Sequence, residues 1–436
     1  MENDFCFFEN RNCKYYPCHK ELKEINCMFC YCPFYTLQNC PGNPVYIKRQ
    51  GQRIKKCTDC TFPHKRENYS KIISRLKEEL QPHNFFGDYV HGGEHSKKIR
   101  YDFSVNTNPL GLPPKVKSVI KKDVSLCEVY PDRHSTKLKS ALASKININQ
   151  KNIIIGNGAS DLITLIARWL GYNRKIKALV LSPTFSGYER ALKGCGIEVK
   201  YYGLKKENNF ELRNDFISSI KDDLDAIFLC NPNNPTSTII NEELLKEIID
   251  TCKSKEILLV IDECFMDFVS EKKKSSAIQF ISNYPNLIVL NAFTKTYCMP
   301  GIRLGYAICS DINLIASLEF LQSEWNVSSL AIEAGITALK QTKYLEKSLC
   351  IIEKERVFLN KNLALLGVKV FPSVANFILL ETNENIFDKV LEKGILVRDC
   401  SNFKNLDGNF IRISICNRRK NRKLISTLKE ILNKND

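Results

Sequence analysis

Lys295 stands in a segment whose residue types could bind and use a phosphorylated aldehyde cofactor. Residues 291–305 read Asn-Ala-Phe-Thr-Lys-Thr-Tyr-Cys-Met-Pro-Gly-Ile-Arg-Leu-Gly and follow the apolar stretch 287–290. A lysine at the end of a buried strand loses solvent, which lowers its pKa and frees the amine to form a Schiff base. Arg303 could hold a phosphate dianion, because guanidinium and phosphate pair well. The segment predicts a pyridoxal phosphate (PLP) site; the alternative is a surface lysine after a buried strand.

Further candidate groups follow other apolar stretches. The turn 156–161, Gly-Asn-Gly-Ala-Ser-Asp, opens a helical pattern, so its backbone N–H groups and the Ser160 hydroxyl could bind phosphate. Phe185 offers a ring that could stack on a planar cofactor or pack in the core. Asn234 lies in a turn bracketed by prolines, where its amide could donate to a phenolate oxygen. Asp262 ends an apolar strand, and a protonated pyridine nitrogen would be a suitable partner for its carboxylate.

The elements that must position these groups alternate apolar strands with helical patterns from about residue 150. The alternation predicts an α/β fold in which a mostly parallel sheet is wrapped by helices and ligands bind beyond the carboxyl ends of the strands. The predicted strands are 152–155, 178–181, 198–202, 226–229, 258–261, 287–290 and 306–309. Each candidate group above follows one of these strands.

The ordered set of glycine turn, aromatic ring, Asn-Pro turn, aspartate and lysine resembles the fold-type I PLP enzymes, the aspartate-aminotransferase superfamily, over residues 85–436. The resemblance implies a seven-stranded, mostly parallel sheet in a large part, about residues 120–330. It also implies a small α/β part, made of about residues 85–119 and 331–436. In our domain prediction, the cysteine-rich domain covers residues 1–80 and the enzyme body covers 81–436.

The resemblance implies a role for individual residues. Lys295 forms the Schiff base, Asp262 pairs with the pyridine nitrogen, Asn234 bonds the phenolate oxygen of the cofactor, and the ring of Phe185 stacks on it. The implied phosphate-binding residues are Gly158, Ala159, Ser160, Thr294 and Arg303.

Two further matches concern the substrate and a second subunit. Arg412 matches an arginine that binds the substrate carboxylate, and Tyr130 matches a tyrosine that reaches the cofactor phosphate of the neighbouring subunit, which implies a homodimer. Three positions depart from the superfamily pattern. Ala292 replaces a hydroxyl residue, Phe265 replaces a tyrosine, and Ser237 replaces a glycine. Loss of one phosphate hydrogen bond costs about 1 kcal/mol, so we expect a competent site.

Within the superfamily the sequence is similar to two families, the L-threonine-phosphate decarboxylases of cobalamin synthesis and the histidinol-phosphate aminotransferases. Segments 91–93, 102–111, 262–268, 299–306, 325–327 and 397–400 favour the first. That family would convert O-phospho-L-threonine to (R)-1-amino-2-propanol phosphate and CO2 for the linker of the cobalamin nucleotide loop. The candidate substrate-binding residues are Arg412, Asn234, Arg398, His91, Gly92 and Gly93. The alternatives for the last four are a surface arginine and a flexible loop.

The choice of reaction depends on which bond at the substrate Cα is held perpendicular to the cofactor ring. Loss of the Cα hydrogen leads to transamination, whereas loss of the carboxylate leads to decarboxylation and requires Lys295 to return a proton to Cα. Sequence alone leaves both reactions open. A third alternative, a catalytically silent binding protein with a metal-binding head, is disfavoured by the intact Lys295, Asp262 and Arg303.

The first 80 residues have a different character, because nine of the 19 cysteines lie before residue 61. Two Cys-x-x-Cys pairs indicate a metal site, since a tight turn places two thiolates on one centre. Disulfides are the rival interpretation, but nine is an odd number and no export signal is evident. The segment resembles small cysteine-rich domains of prokaryotes. The candidate zinc ligands are Cys13, Cys18, Cys27, Cys30, Cys32, Cys40, Cys57 and Cys60.

Several alternatives in this head stay open. An iron–sulfur cluster is the second choice after zinc, because thiolates suit both. His19 and His64 are weaker ligand candidates, since a lone histidine is more often a hydrogen-bonded surface residue. Residues 69–80 form a short amphipathic pattern that predicts a helix.

Bulk composition restricts the class of protein. The 436 residues carry a formal charge of +16, with 44% hydrophobic and 26% charged residues. The basic residues are spread along the chain, which favours anionic phosphate substrates over nucleic acid as the partner. No apolar run is long enough to span a membrane. We therefore expect a cytoplasmic enzyme that acts on a phosphorylated amino acid.

Overall fold

The computed structural model describes residues 5–35, 40–49, 52–80, 93, 99–172, 175–270 and 275–432. The chain divides into two compact units, residues 1–87 and 88–436. Within the described ranges, no helix combines the length and the apolar character that a membrane span needs.

The first unit contains little regular structure. An antiparallel hairpin joins β1 (Val45–Arg49) and β2 (Gln52–Lys56), and the predicted helix is confirmed as α1 (Tyr69–Leu80). Its buried apolar side chains include Phe7, Ile25, Phe34 and Ile72. A core this small stabilises a fold only weakly, so such domains need additional cross-links.

The second unit begins with short elements and then builds the main sheet. The leading elements are β3 (Tyr101–Asp102), α2 (Pro114–Lys122) and α3 (Thr136–Ile146). The sheet strands are β4 (Ile153–Gly156), β5 (Lys177–Ser182), β6 (Glu198–Gly203), β7 (Ala226–Cys230), β8 (Leu258–Asp262), β9 (Leu287–Ala292) and β10 (Gly305–Ile308). Their spatial order is β4-β10-β9-β8-β7-β5-β6. Strand β10 runs antiparallel to both of its neighbours, β4 and β9, and the other pairings among these strands are parallel. The predicted mostly parallel seven-stranded sheet is confirmed.

Both faces of the middle of this sheet are buried, which explains why β7, β8 and β9 read as continuous apolar runs. The edge strand β6 contains no buried residue and alternates charged with apolar side chains at its start. Leu179 and Leu229 point into one core, whereas Val180 and Phe228 point into the other. The associated helices are α4 (Ala159–Gly171), α5 (Ser186–Gly194), α6 (Glu242–Ser254), α7 (Phe293–Thr296) and α8 (Ile312–Leu321). Helix α6 packs in the first core, and α4, α5 and α8 pack in the second.

The C-terminal part adds a smaller antiparallel sheet. Its elements are α9 (Ser329–Leu339), α10 (Thr342–Ala364), β11 (Lys369–Val370), β12 (Phe377–Glu381), α11 (Phe387–Glu392), β13 (Ile395–Leu396), β14 (Arg398–Asp399), β15 (Phe410–Ser414) and α12 (Arg418–Leu432). The strand order is β11-β12-β15-β14, and β13 pairs in parallel with β3. This last pairing brings the segment that follows residue 102 to the same region as β14 and β15.

Short 3-10 helices connect several of these elements. They are Phe62–His64, Arg66–Asn68, Val124–Glu128, Gln150–Asn152, Lys206–Asn208, Asn214–Ser219, Met266–Phe268 and Ala277–Asn283.

Candidate active site

A cavity of about 440 Å³ opens at the carboxyl ends of the parallel strands β7, β8 and β9. The final residues of these strands, Cys230, Asp262 and Ala292, all line it. The sequence-predicted residues that line the same cavity are Ala159, Ser160, Phe185, Asn234, Asp262, Thr294, Lys295, Arg303, Arg398 and Arg412. The fold therefore brings together residues up to 253 positions apart in the chain (412 − 159 = 253).

Lys295 lies in α7, directly after β9, as the sequence predicted. Burial lowers the pKa of its amine to about 8, and the nearby positive charges of Arg412 and Arg303 act in the same direction. The Nζ atom lies 5.9 Å from the ring centroid of Phe265. Phe265, which stands where the superfamily pattern has a tyrosine, thus places an apolar ring without a hydroxyl beside the lysine. A substantial fraction of this amine is neutral near pH 7, which a nucleophile requires.

Asp262 is the last residue of β8 and is only 5% exposed. Its carboxylate accepts hydrogen bonds from the Tyr188 hydroxyl at 2.7 Å and from the Cys264 backbone N–H at 3.0 Å. Among the described residues, no lysine or arginine forms an ion pair with it. A buried carboxylate with neutral donors alone is well suited to a cationic nitrogen in the cavity.

Tyr188 was not among the predicted site residues. It lies in α5, in the turn after Phe185, and the two rings pack edge to face at 5.4 Å. Burial, with the negative charge of Asp262 second, raises the pKa of the Tyr188 hydroxyl well above its ordinary value. The hydroxyl therefore remains a proton donor to Asp262. The position of Tyr188, three residues after Phe185, was the available signal in the sequence. Only the fold reveals the hydrogen bond between Tyr188 and Asp262.

A phosphate-sized cradle forms where α4 begins. Gly158 precedes this helix with φ +86°, and a Cβ added to it would lie 2.7 Å from Nη2 of Arg303. A Cβ on Gly305 would lie 2.8 Å from the backbone nitrogen of Ala159. Only glycine at both positions lets the Arg303 loop approach the helix N-terminus this closely. Backbone N–H groups, a guanidinium and the hydroxyls of the predicted residues thus surround one place that fits a phosphate dianion.

Arg412 and Asn234 meet at the opposite side of the cavity. The Arg412 Nη1 atom donates to Oδ1 of Asn234, and Nη2 donates to the Ser104 carbonyl oxygen at 2.6 Å. With its amide oxygen turned toward the guanidinium, Asn106 accepts from Nε at 3.2 Å and from Nη1 at 3.3 Å. Within the described ranges, no carboxylate pairs with Arg412. Burial lowers its pKa to about 10, so the guanidinium remains charged among neutral acceptors.

Ser104 and Asn106 were not assigned roles from sequence, although both lie in the segment 102–111.

Arg398, a predicted substrate-binding residue, is the second buried arginine of the cavity, at 7% exposure. Its Nη2 atom donates to Oδ1 of Asn402 at 2.8 Å, and the guanidinium lies 5.0 Å from the ring centroid of Phe403. Two guanidinium groups therefore face one cavity.

The Asn-Pro turn explains one departure from the superfamily pattern. Ser237 replaces glycine and has φ +59°, a left-handed conformation that favours glycine. Its buried hydroxyl accepts from the Ala375 backbone N–H at 2.9 Å and lies 3.0 Å from the Ser373 hydroxyl. These bonds tie the turn to the segment before β12 and compensate for the conformational cost.

Other predicted residues lie elsewhere. Tyr130 does not line the cavity; it is 78% exposed, and its ring packs on Trp325 at 4.4 Å between centroids. The Gly93 backbone N–H donates to the Ser104 hydroxyl at 2.8 Å, next to the strand that leads to Asn106. His91 and Gly92 lie outside the described residues.

In the first unit no disulfide joins any of the nine cysteines, all of which the structure describes. Burial raises the pKa of the Cys18 thiol, and the neighbouring thiolates of Cys30, Cys27 and Cys13 act in the same direction. Burial likewise raises the pKa of the Cys32 thiol, together with the thiolates of Cys40, Cys57 and Cys60. The eight predicted ligands thus fall into a first cysteine group (Cys13, Cys18, Cys27, Cys30) and a second cysteine group (Cys32, Cys40, Cys57, Cys60). A cavity of about 260 Å³ is lined by the whole second group, together with Cys30 and His64.

Comparisons with known proteins agree with this architecture. The family Aminotransferase class I and II matches residues 98–428, and the family Cysteine-rich small domain matches residues 4–85. The chain belongs to the aminotransferase class I and II family.

Relatives in this family carry two different activities. The chain is 33% identical over 335 residues to the threonine-phosphate decarboxylase of Salmonella typhimurium, covering 76% of this chain and 91% of that protein. It is 31% identical over 336 residues to the histidinol-phosphate aminotransferase of Methanococcus aeolicus, covering 75% and 89%. The crystal structure of the histidinol-phosphate aminotransferase from Clostridium acetobutylicum superposes with a TM-score of 0.72 at 33% identity, over 77% of this chain and 99% of that one.

Proposed function

We propose that the protein is a PLP-dependent carboxy-lyase that converts O-phospho-L-threonine to (R)-1-amino-2-propanol phosphate and CO2, for the linker of the cobalamin nucleotide loop. The observation that carries the proposal is the pair of buried arginines, Arg398 and Arg412, in one cavity. Phosphothreonine has two anionic groups for two guanidiniums, a phosphate and a carboxylate, whereas histidinol phosphate has one. Similarity to the Salmonella typhimurium decarboxylase supports the same reading.

The residues present fit the cofactor. Asp262 would face its ring nitrogen, Asn234 its phenolate oxygen, and the cradle of Ala159, Ser160 and Arg303 its phosphate. When bound, PLP supplies an electron sink for the pair of electrons released at the substrate Cα.

The chain's own side chains do the remaining work. Arg412 binds the substrate carboxylate and Arg398 binds its phosphate, which fixes the orientation of the Cα substituents. This orientation would favour loss of the carboxylate as CO2, and bound PLP would accommodate the electron pair that the broken bond leaves at Cα. Lys295, as an ammonium group, would deliver to Cα the proton that replaces the lost carboxylate and completes the product. The apolar ring of Phe265 keeps water away from this amine.

Transamination of histidinol phosphate is the second candidate, because the Methanococcus aeolicus and Clostridium acetobutylicum enzymes are about equally similar. The deciding experiment incubates the PLP-loaded protein with phosphothreonine and, separately, with histidinol phosphate plus 2-oxoglutarate. We expect CO2 release in the first mixture. Glutamate formation in the second mixture, with no CO2 in the first, would establish the aminotransferase instead.

Substitution Gly158→Ala tests the phosphate cradle. The new methyl group would displace Arg303, so at least one charge-assisted hydrogen bond to the phosphate is lost, at about 1.5–3 kcal/mol. We expect the Kd for PLP to rise about tenfold or more, measured by equilibrium dialysis. Gly111→Ala is the matched control, because φ is +74° and nothing lies within 4 Å of its Cβ position. An equal loss of affinity in both variants would show that general strain, not the cradle, is responsible.

The lowered pKa of Lys295 predicts how PLP capture depends on pH. Only the neutral amine attacks the aldehyde, and with a pKa of about 8 about 10% is neutral at pH 7, against far less than 1% for an ordinary lysine at pKa about 10.4. The rate of attachment should therefore rise with pH and level off above about 8. Arg412→Gln removes a positive charge and should move the inflection to higher pH. Stopped-flow absorbance measures both; an inflection that stays near 10 in the wild type contradicts the prediction.

We also propose a homodimer in which Tyr130 reaches the partner's phosphate site. This tyrosine is exposed and its ring packs on Trp325, so it is accessible to a second subunit. Sedimentation should give about twice the chain mass of 50.1 kDa. A monomer that binds PLP with full affinity would refute this arrangement.

For the first unit we propose that thiolates of the two cysteine groups bind zinc, in keeping with the small apolar core and the absence of disulfides among its cysteines. Zinc would then supply much of the folding free energy of this unit. Metal analysis of the purified chain tests the proposal, with iron as the outcome that would replace zinc.

A further inference from the structure

We infer that the buried histidines His19 and His64 join Cys18 in one metal centre of mixed thiolate and imidazole ligands. The inference rests on the proposed metal-binding role of the first unit and deepens it. The ligand atoms of these three residues all lie within 4.8 Å of one another. Ligands on a tetrahedral zinc ion, with bonds of about 2.0–2.3 Å, lie about 3.3–3.8 Å apart. Small side-chain rotations therefore bring all three onto one ion.

One of the two imidazoles, that of His64, has the hydrogen-bond partner that metal-bound histidines usually have. The Nδ1 atom of His64 lies 3.1 Å from the Asn26 carbonyl oxygen, and Nδ1 of His19 lies 3.6 Å from a carboxylate oxygen of Glu21. When the His64 Nδ1–H group donates to the Asn26 carbonyl, the lone pair is left on Nε2, which is the usual arrangement at zinc. The longer contact between His19 and Glu21 is an ion-pair contact and not a hydrogen bond. The two rings lie side by side, with centroids 4.7 Å apart.

Asn26 joins the segments around this site by hydrogen bonds. This fully buried residue accepts from the backbone N–H groups of Phe8 and Met28, both at 3.2 Å, and donates from its amide to the Cys6 carbonyl at 2.9 Å. Its backbone N–H also donates to the His64 carbonyl at 2.8 Å. The residue immediately before the Cys27 turn thus fixes the position of His64, although 38 residues separate the two.

Charge favours two imidazoles over four thiolates at this place. A Zn²⁺ ion with two thiolates and two neutral imidazoles has no net charge, whereas four thiolates leave two negative charges. His19 and His64 are 8% and 6% exposed, whereas Cys18 is exposed. An uncompensated charge would therefore be costly to desolvate on the imidazole side of the centre. One further thiolate of the first cysteine group completes the tetrahedron, and the second cysteine group remains a separate centre.

The test uses the full chain purified with zinc. Zinc per chain is measured by mass spectrometry, and the ligand types by X-ray absorption at the zinc edge. We expect the wild type to display nitrogen scattering. The double variant His19→Ala/His64→Ala should lose that scattering together with one zinc per chain. The exposed His134, in the second unit, supplies the matched control His134→Ala, which should change neither quantity.

The outcomes separate this inference from the metal proposal beneath it. A wild type without metal overturns both. A wild type whose zinc has sulfur ligands alone, or a double variant with unchanged zinc and unchanged scattering, overturns only the mixed centre. PLP binding by the same samples reports on the second unit, so failure of the enzymatic proposal is seen independently.

A gain-of-ligand variant covers the case in which loss of the histidines prevents folding. His64→Cys replaces an imidazole with a thiolate and should retain the metal. After cobalt replaces zinc, the thiolate-to-cobalt absorption should increase by the contribution of one thiolate. A histidine that only fills the core would give no such increase, and that result would overturn the inference.

Discussion

Replacing Lys295 with alanine should lower kcat for phosphothreonine decarboxylation by at least about 10³-fold. A positioned acid or base contributes about 10²–10⁴-fold, and the variant also loses covalent attachment of the cofactor. The effect arises from one side chain whose pKa is lowered to about 8 by burial and by two neighbouring arginines. Coupled assay of CO2 release measures it, with PLP present in excess so that weak binding does not limit the rate.

Lys354→Ala provides the control, because Lys354 is an exposed lysine of helix α10 and alanine suits a helix. This variant should retain wild-type activity and the visible absorbance of bound PLP, whereas Lys295→Ala should lose both. Equal activity of the two variants would exclude Lys295 as the catalytic amine. If the wild type binds PLP but acts on neither candidate substrate, the silent binding protein becomes the better interpretation.

The sheet was predictable because its chemistry is local. The central parallel strands β7, β8 and β9 are buried on both faces and therefore read as apolar runs. Each predicted strand ends within about two residues of where the structure ends it. Asp262 and Lys295 were recognisable from sequence because they follow such runs. Burying a charged side chain costs free energy unless a partner group or ligand compensates for the lost solvent. Position along one strand was enough for these residues.

Contacts between distant segments were not predictable in the same way. Tyr188 donates to Asp262 across 74 residues, and Arg412 donates to the Ser104 carbonyl across 308. A tyrosine in a helix and a serine in a loop can form hydrogen bonds with many partners. The sequence of their own segments does not indicate which partner they contact. Only the pairing of β3 with β13 and the order of the sheet bring these groups together.

His19 and His64 illustrate the same limit in the first unit. Each is a lone histidine in its own segment, and a lone histidine indicates little. Their significance arises from mutual proximity and from the Asn26 network, which joins residues 6, 8, 28 and 64. The paired cysteines, by contrast, indicated a metal because both thiolates of each pair are local.

The second large effect concerns Arg412. Arg412→Gln should lower kcat/KM for phosphothreonine by about 10²–10⁴-fold, because a bidentate pair with the substrate carboxylate includes two charge-assisted hydrogen bonds of about 1.5–3 kcal/mol each. The same change should leave Tm unchanged or raise it, since the guanidinium is buried without a carboxylate partner among the described residues. Arg168→Gln, at an exposed arginine of α4, is the control and should alter neither quantity.

A crossed inhibition experiment assigns the two arginines to the two anionic groups of the substrate. L-Threonine has the carboxylate without the phosphate, and O-phosphoethanolamine has the phosphate without the carboxylate. Arg412→Gln should raise the inhibition constant of threonine and spare that of phosphoethanolamine, and Arg398→Gln should do the reverse. Equal weakening of both inhibitors by both variants would mean that the arginines only shape the cavity. A reversed pattern would exchange the roles of the two arginines.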